Sequence, residues 1–211
     1  DLWIWVQGDA RDAVFDRALA VDQCLRSVCE LVVDVPVFVR AENRDLTGFV
    51  DGSANPKDDV RYAAAVIAAG QKGEGGSIAF TQRWVHDLPA FGARSVTEQE
   101  RIIGRTKPDS IELEGDAMPA DSHVAKTDLS EDGVALKIYR RSAPYGSVGE
   151  HGLHFVCFAT TQRRIQLQLE SMFGLSADGE HDRIIEYSTP VTGSYWFVPS
   201  TQMLTAALAS L

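Results

Sequence analysis

The sequence is short of long apolar runs, cysteine and positive charge, and each shortage removes a class of function. No apolar stretch approaches the roughly 20 residues that a membrane-spanning helix requires, so no such helix is expected. Three cysteines, Cys24, Cys29 and Cys157, form no CxxC pair and lie in apolar segments, which points to buried free thiols in a reducing cytoplasm. Without a CxxCH there is no covalently attached c-type haem. Twenty basic residues against thirty acidic ones leave a formal charge of -10 and a pI near 4.9. Long-range attraction to nucleic acid or to an anionic membrane is therefore not expected, and a small ligand is the better reading. The five histidines, His86, His123, His151, His154 and His181, include no HxH or HxxxH pair, so a compact zinc site is a poor fit. Gly70 to Gly76 has neither nucleotide-loop spacing and reads as a flexible loop.

What is present suits globular structure. The 211 residues are 45% hydrophobic and 24% charged, too balanced for disorder, collagen or coiled coil, and enough for one or two domains. Residues 2–6 form an aromatic and β-branched run that predicts a strand, already under way without an initiator Met, so the chain is expected to be a piece of something longer. From Asp9, apolar residues at helical spacing through Val28 predict an amphipathic helix. Residues 31–40 predict a second strand, with Pro36 fitting an edge or bulge. Turn signals fill 41–76. Further strands are expected at 77–85, with Ile78, Phe80, Gln82 and Trp84 on one face, and at 134–141, 153–160 and 194–198. Helices are expected at 97–103, capped by Thr97 with Glu100, at 161–173 and at 201–211. The order β-α-β then β-α-β-β-α-β predicts an α+β fold of two ferredoxin-like modules with antiparallel sheets, the first only partly present. Residues 1–47 would be the second half of one module, 48–76 a connector and 77–211 a complete module.

Three places carry candidate chemistry. In Gly48-Phe49-Val50-Asp51-Gly52-Ser53-Ala54-Asn55-Pro56, two glycines and an Asn-Pro make a restricted loop that either directs the Asp51 carboxylate or uses it as a turn cap. His123 follows a polar, proline-containing loop, so its ring either points from that loop into a pocket or lies at the surface. In residues 134–142, alternation places Leu136, Ile138, Arg140 and Ser142 on one face and Arg141 on the other. Arg140 on an apolar row needs an anionic partner, either within the protein or on a ligand.

Four segments taken together, GFVDGSANP (48–56), IIGRTKPDSIELE (102–114), SHVAKTDL (122–129) and KIYRRSAPYG (137–146), resemble the B-type bacterial dye-decolourising peroxidases. EHGLHFVCF (150–158) and HDRIIEYSTPVTGSYWFVPS (181–200) continue the resemblance in the same order. The resemblance implies two ferredoxin-like modules with non-covalent haem b held mainly by the C-terminal one, and a peroxidase that reduces hydrogen peroxide and oxidises dyes, phenols or other one-electron donors. The alternative is a haem-handling protein with incidental peroxidase activity. By the same resemblance His123 ligates the iron and Asp182 receives its second imidazole N–H. Asp51 and Arg140 are the distal acid and arginine, and Ser142 and Phe155 also contact the cofactor. A cytoplasmic homo-oligomer is implied, with encapsulin as a partner of some relatives.

Overall fold

The computed structural model describes residues 1–210, and the chain divides between residues 36 and 37 into two units. In the first unit, helix α1 runs Arg11–Leu25, starting after Ala10 without a side-chain cap. Neither flanking segment becomes a strand, contrary to the sequence reading. Residues 2–6 carry no strand. Trp3 and Trp5 nevertheless stack at 6.2 Å, as alternate residues on one side of an extended chain do. Across 31–40 the pairing shrinks to a single bridge, Val37 with Tyr145, just past Pro36, which has no N–H to give. Cys24, in α1, which buries no residue, and Cys29, beyond its end, are exposed rather than buried; only Cys157 is buried, and all three are free thiols.

The second unit is built on one antiparallel sheet. After α2 (Val60–Ala65) comes β1 (Ser77–His86), then α3 (Leu88–Gly92), α4 (Val96–Ile103) and α5 (His123–Thr127). A small hairpin of β2 (Ser130–Glu131) and β3 (Val134–Ala135) precedes β4 (Tyr139–Arg140) and β5 (Ala143–Gly146). Then follow β6 (His151–Ala159), α6 (Gln162–Met172), β7 (Ser188–Pro190), β8 (Ser194–Val198) and α7 (Thr201–Ala209); Leu211, in the expected last helix, lies outside the described residues. Strands β1 and β6 pair at the centre, from Ile78 opposite Ala159 to Val85 opposite Gly152. On the outer side of β6, β4 and β5 keep one register and make a single line. On the outer side of β1, β7 and β8 are offset by one residue, since Trp84 faces Pro190 while Thr81 faces Ser194, which is a β-bulge. Read as four lines, the spatial order is fourth, first, third, second, all antiparallel, with helices on the connections. This is the ferredoxin-like arrangement within an α+β fold.

Both faces of the central strands are covered, since Ala79, Phe80, Thr81 and Gln82 are buried in succession, as are Val156 and Cys157. Phe80 from β1 and Cys157 and Ala159 from β6 meet Ile138 and, from α6, Ile165. Fully burying a side chain such as Ile165 contributes about 1.5–3 kcal/mol. A second cluster, Phe49, Phe91, Ile102 and Tyr187, ties α3 and α4 to the loop before β1. Helix α4 is capped not by Thr97 but by Ser95, whose hydroxyl accepts from Glu98 N at 3.2 Å, so the helix starts one residue earlier than expected. It ends at Gly104, φ 89°, where a Cβ would lie 2.9 Å from Val124 Cβ and 3.1 Å from Ser122 Oγ. The missing side chain lets the end of α4 press against the start of α5, which carries His123. Among the described residues no helix is long and apolar enough to cross a membrane.

Candidate active site

A cavity between the sheet and its helices gathers residues from five parts of this unit. Asp51, His123, Arg140 and Phe155 all line it, together with Asp45 and His86.

The Asp51 carboxyl is placed by a miniature hairpin. Arg44 bridges Val50, Asp51 N donates to Asn43 O at 2.9 Å and Asp45 N to Phe49 O at 2.9 Å. The Arg44 guanidinium fastens this hairpin to the segment after α4 by donating to Gly48 O, Lys107 O and Pro108 O. Beyond the hairpin, Gly52 takes φ 73°, and a Cβ there would stand 3.1 Å from Asn55 Nδ2. That turn lets the Asn55 side chain reach across to β4, where it accepts from Arg140 N at 2.9 Å and donates to Arg140 O at 2.8 Å. One amide thus replaces a neighbouring strand and couples the position of Arg140 to that of Asp51. Asn55 was read from sequence only as a turn residue; its bidentate link is a contact 85 positions away in the chain.

Arg140 faces the cavity and Arg141 is exposed, so the alternation along 134–142 separates the two. Arg140 Nε is buried without a hydrogen-bond partner. Its neighbour across the strands is Cys157, whose thiol burial pushes up to about 12, so the sulfur stays neutral. The charge of Arg140 is felt instead by Asp51. Burial pushes the Asp51 carboxyl up, Arg140 pulls it down and the Asp45 charge adds to the rise; the outcome is a carboxyl above its ordinary value.

His123 is the first residue of α5 and not part of a loop, because Ser122, fully buried, caps the helix by accepting from Ala125 N at 3.3 Å. Its Nδ1 lies 2.6 Å from Asp182 Oδ2, and Asp182 has no exposed area. A carboxylate only accepts, so Nδ1 carries the proton, and the tautomer this selects has its lone pair on Nε2. Asp182 Oδ1 in turn accepts from Ile184 N at 2.9 Å, and Asp182 N donates to Met172 O, which fixes the carboxylate from both sides. Asp182 does not line the cavity; it acts on it through His123. Ser142 is not among the lining residues either, and its hydroxyl turns back to accept from Val156 N at 3.3 Å.

Sequence reasoning passed over a second polar group in the wall. Asp45 Oδ2 accepts from Thr47 N and Thr47 Oγ1, at 2.9 and 2.6 Å, and its Oδ1 lies 3.2 Å from His86 Nε2. His86 Nδ1 is 2.7 Å from Ser188 Oγ. Burial pushes the Asp45 carboxyl up, but the hydrogen bond and charge of His86 and the Thr47 contacts outweigh it and hold the group below its ordinary value.

Comparison with known proteins identifies the family. Residues 42–203 match the family model described as Dyp-type peroxidase, C-terminal. Dye-decolorizing peroxidases of Mycolicibacterium paratuberculosis and Mycobacterium tuberculosis are each 37% identical over 208 residues, 97% of this chain, which spans 59% and 62% of their lengths. Among solved structures, a dye-decolorizing protein from V. cholerae is 41% identical with a TM-score of 0.87, over 92% of this chain and 65% of that one. A variant of Rhodococcus jostii DypB, solved in complex with heme, is 36% identical with a TM-score of 0.90, over 94% and 65% of the two chains.

Proposed function

Since the chain belongs to the Dyp-type peroxidase family, we propose that it serves a haem-dependent peroxidase that reduces hydrogen peroxide and oxidises one-electron donors such as dyes or phenols. The carrying observation is the convergence of an imidazole with a carboxylate-locked tautomer, a buried carboxyl and a guanidinium on one cavity.

The residues present fit a haem. Nε2 of His123 offers an unshared pair to the cavity, the unpartnered Nε of Arg140 calls for an anionic group, and Phe155, Leu153, Ile138 and Ile184 supply apolar wall for a flat macrocycle. His123 would hold the iron of non-covalent haem b, and Arg140 and Phe155 would contact the ring or its carboxylates. Bound there, the haem would supply the electron-transfer chemistry that no side chain here provides.

The chain's own contribution is proton handling and electrostatics. Asp182 strengthens the donor power of His123 by drawing on its Nδ1–H. The ionised Asp51 carboxylate takes a proton from one oxygen of hydrogen peroxide and holds it within reach of the other. Arg140 stabilises the negative charge that builds on the departing oxygen. Because Asp51 must be ionised to act, and its proton is held more tightly than usual, the peroxide step switches on as pH rises through that raised value. Ser142 is proposed as a further contact to the cofactor, reached by rotation of the hydroxyl that here accepts from Val156 N.

The same reading takes residues 77–211 as the haem-binding module, 48–76 as its connector and 1–47 as the second half of a preceding module. Exposed free thiols at Cys24 and Cys29 suit a reducing cytoplasm, where the protein would work as a homo-oligomer. Rapid mixing of the haem-loaded protein with hydrogen peroxide tests the proposal. Asp51→Ala and Arg140→Leu are each expected to slow the spectral change by about 10²–10⁴-fold, and rates equal to the parent in both would refute their roles.

A further inference from the structure

The Asp45, His86 and Ser188 group has no part in the chemistry just described, yet it shares the cavity wall with Asp51. Its geometry is set by the hairpin at 43–51. Asp51 pairs with Asn43 and Asp45 pairs with Phe49 across the Arg44–Val50 bridge, so the two carboxyls are diagonal neighbours on one face. Diagonal neighbours in an antiparallel pair stand about 7–8 Å apart. Both carboxyls line the same cavity, so a negative charge on one is felt by the other.

Asp45 is held ionised in this place by contacts unrelated to peroxide. Thr47 gives it two hydrogen bonds, and His86 gives a third while Ser188 fixes the far side of the ring. The side chains of His86 and Asp45 are only 7% and 13% exposed, so solvent screens the pair weakly. The charged or titratable groups acting on Asp51 are Arg140 from β4, Asp45 from its own hairpin and His123 from α5; His86 from β1 is the one that acts on Asp45. Arg140 and Asp45 therefore push Asp51 in opposite directions.

We propose that Asp45, held by His86 and Ser188, is a positioning residue whose negative charge sets how tightly Asp51 keeps its proton. The inference rests on the reading of Asp51 as the proton acceptor, since only then does the setting matter to turnover. At an effective dielectric of about 20, unit charges about 7 Å apart shift a titration by roughly 1–2 pH units. Removing the Asp45 charge lowers the Asp51 midpoint by that amount.

An infrared pH titration of the intact haem-loaded protein tests this without relying on turnover. A neutral carboxylic acid has a carbonyl stretch distinct from that of carboxylates, and the component lost in Asp51→Asn belongs to Asp51. In Asp45→Asn, which keeps the shape and an acceptor for Thr47, the midpoint of that band is expected about 1–2 pH units lower. In His86→Gln, where the amide can still donate to Asp45 and Thr47 keeps its two hydrogen bonds, the midpoint is expected to move by less than in Asp45→Asn. The acid limb of the peroxide rate should move with the band in both variants. A midpoint unchanged in Asp45→Asn, or lowered in both variants alike, overturns the inference, because a merely structural role predicts such common behaviour. If the infrared shifts occur but the protein does not react with peroxide, the coupling stands and the peroxidase reading fails.

Discussion

Replacing Asp182 by Asn gives the sharpest perturbation, because it changes charge without changing shape at a residue with no exposed area. In the native protein both carboxylate oxygens accept, Oδ2 from His123 Nδ1 at 2.6 Å and Oδ1 from Ile184 N at 2.9 Å. An amide has one accepting oxygen, so in either orientation its NH₂ faces one of these two N–H groups. A buried donor left without a partner costs about 1–3 kcal/mol, and the surviving bond loses its charge assistance, about 1 kcal/mol more. The expected loss is therefore about 2–4 kcal/mol of folding stability. Urea denaturation followed by fluorescence and by circular dichroism measures it, as a lower midpoint at unchanged slope. The same variant should bind haem iron about 10–100-fold more weakly, as disturbed partners of metal-bound histidines do. Wild-type stability together with wild-type haem affinity would refute the reasoning that this carboxylate orients His123.

Two further outcomes follow from the geometry. Asp51 has a folded-state pKa above its ordinary value, so the stability it contributes is fully present at low pH and is lost as pH rises from 3.8 through the raised value. Asp51→Asn has no proton to lose, and its stability relative to the parent should increase across that window in a series of thermal melts; a flat difference would contradict the sign. Asn55→Ala removes both hydrogen bonds to the Arg140 backbone, and should cost about 1–3 kcal/mol in urea denaturation while slowing the peroxide reaction as an Arg140 variant does. A normal peroxide rate in Asn55→Ala would show that Arg140 needs no such anchor.

Much of the sheet was legible because strand and helix periods are local. Alternation in 77–85 anticipated that Phe80 and Trp84 would be buried together, and helical spacing with Gly174 beyond it marked α6. What failed was also local in origin. Ser95 and Thr97 are equally good cap residues by type, and only the path of the preceding chain chose Ser95. Residues 2–6 have strand composition, but composition does not supply a partner strand. At the site, local pattern marked Asp51, His123 and Arg140 only as candidates with a plain structural alternative, and their proposed roles came from the resemblance of the surrounding segments. Asp45, His86 and Ser188 left no such mark, since their bonds join positions 41 and 102 apart. A hydroxyl such as that of Ser142 can face a cavity or the backbone from the same strand position, and the pattern does not say which.

The proposed function stands or falls with His123 as the haem ligand of the cavity that Asp51 and Arg140 line. The most direct measurement is the visible absorption spectrum of haem-loaded His123→Ala beside that of the parent, with exogenous imidazole added to the variant. The account predicts that the variant loses its haem or binds it with an altered Soret band, and that imidazole restores the parent spectrum. A His123→Ala protein that keeps stoichiometric haem with the parent spectrum, indifferent to imidazole, would contradict it.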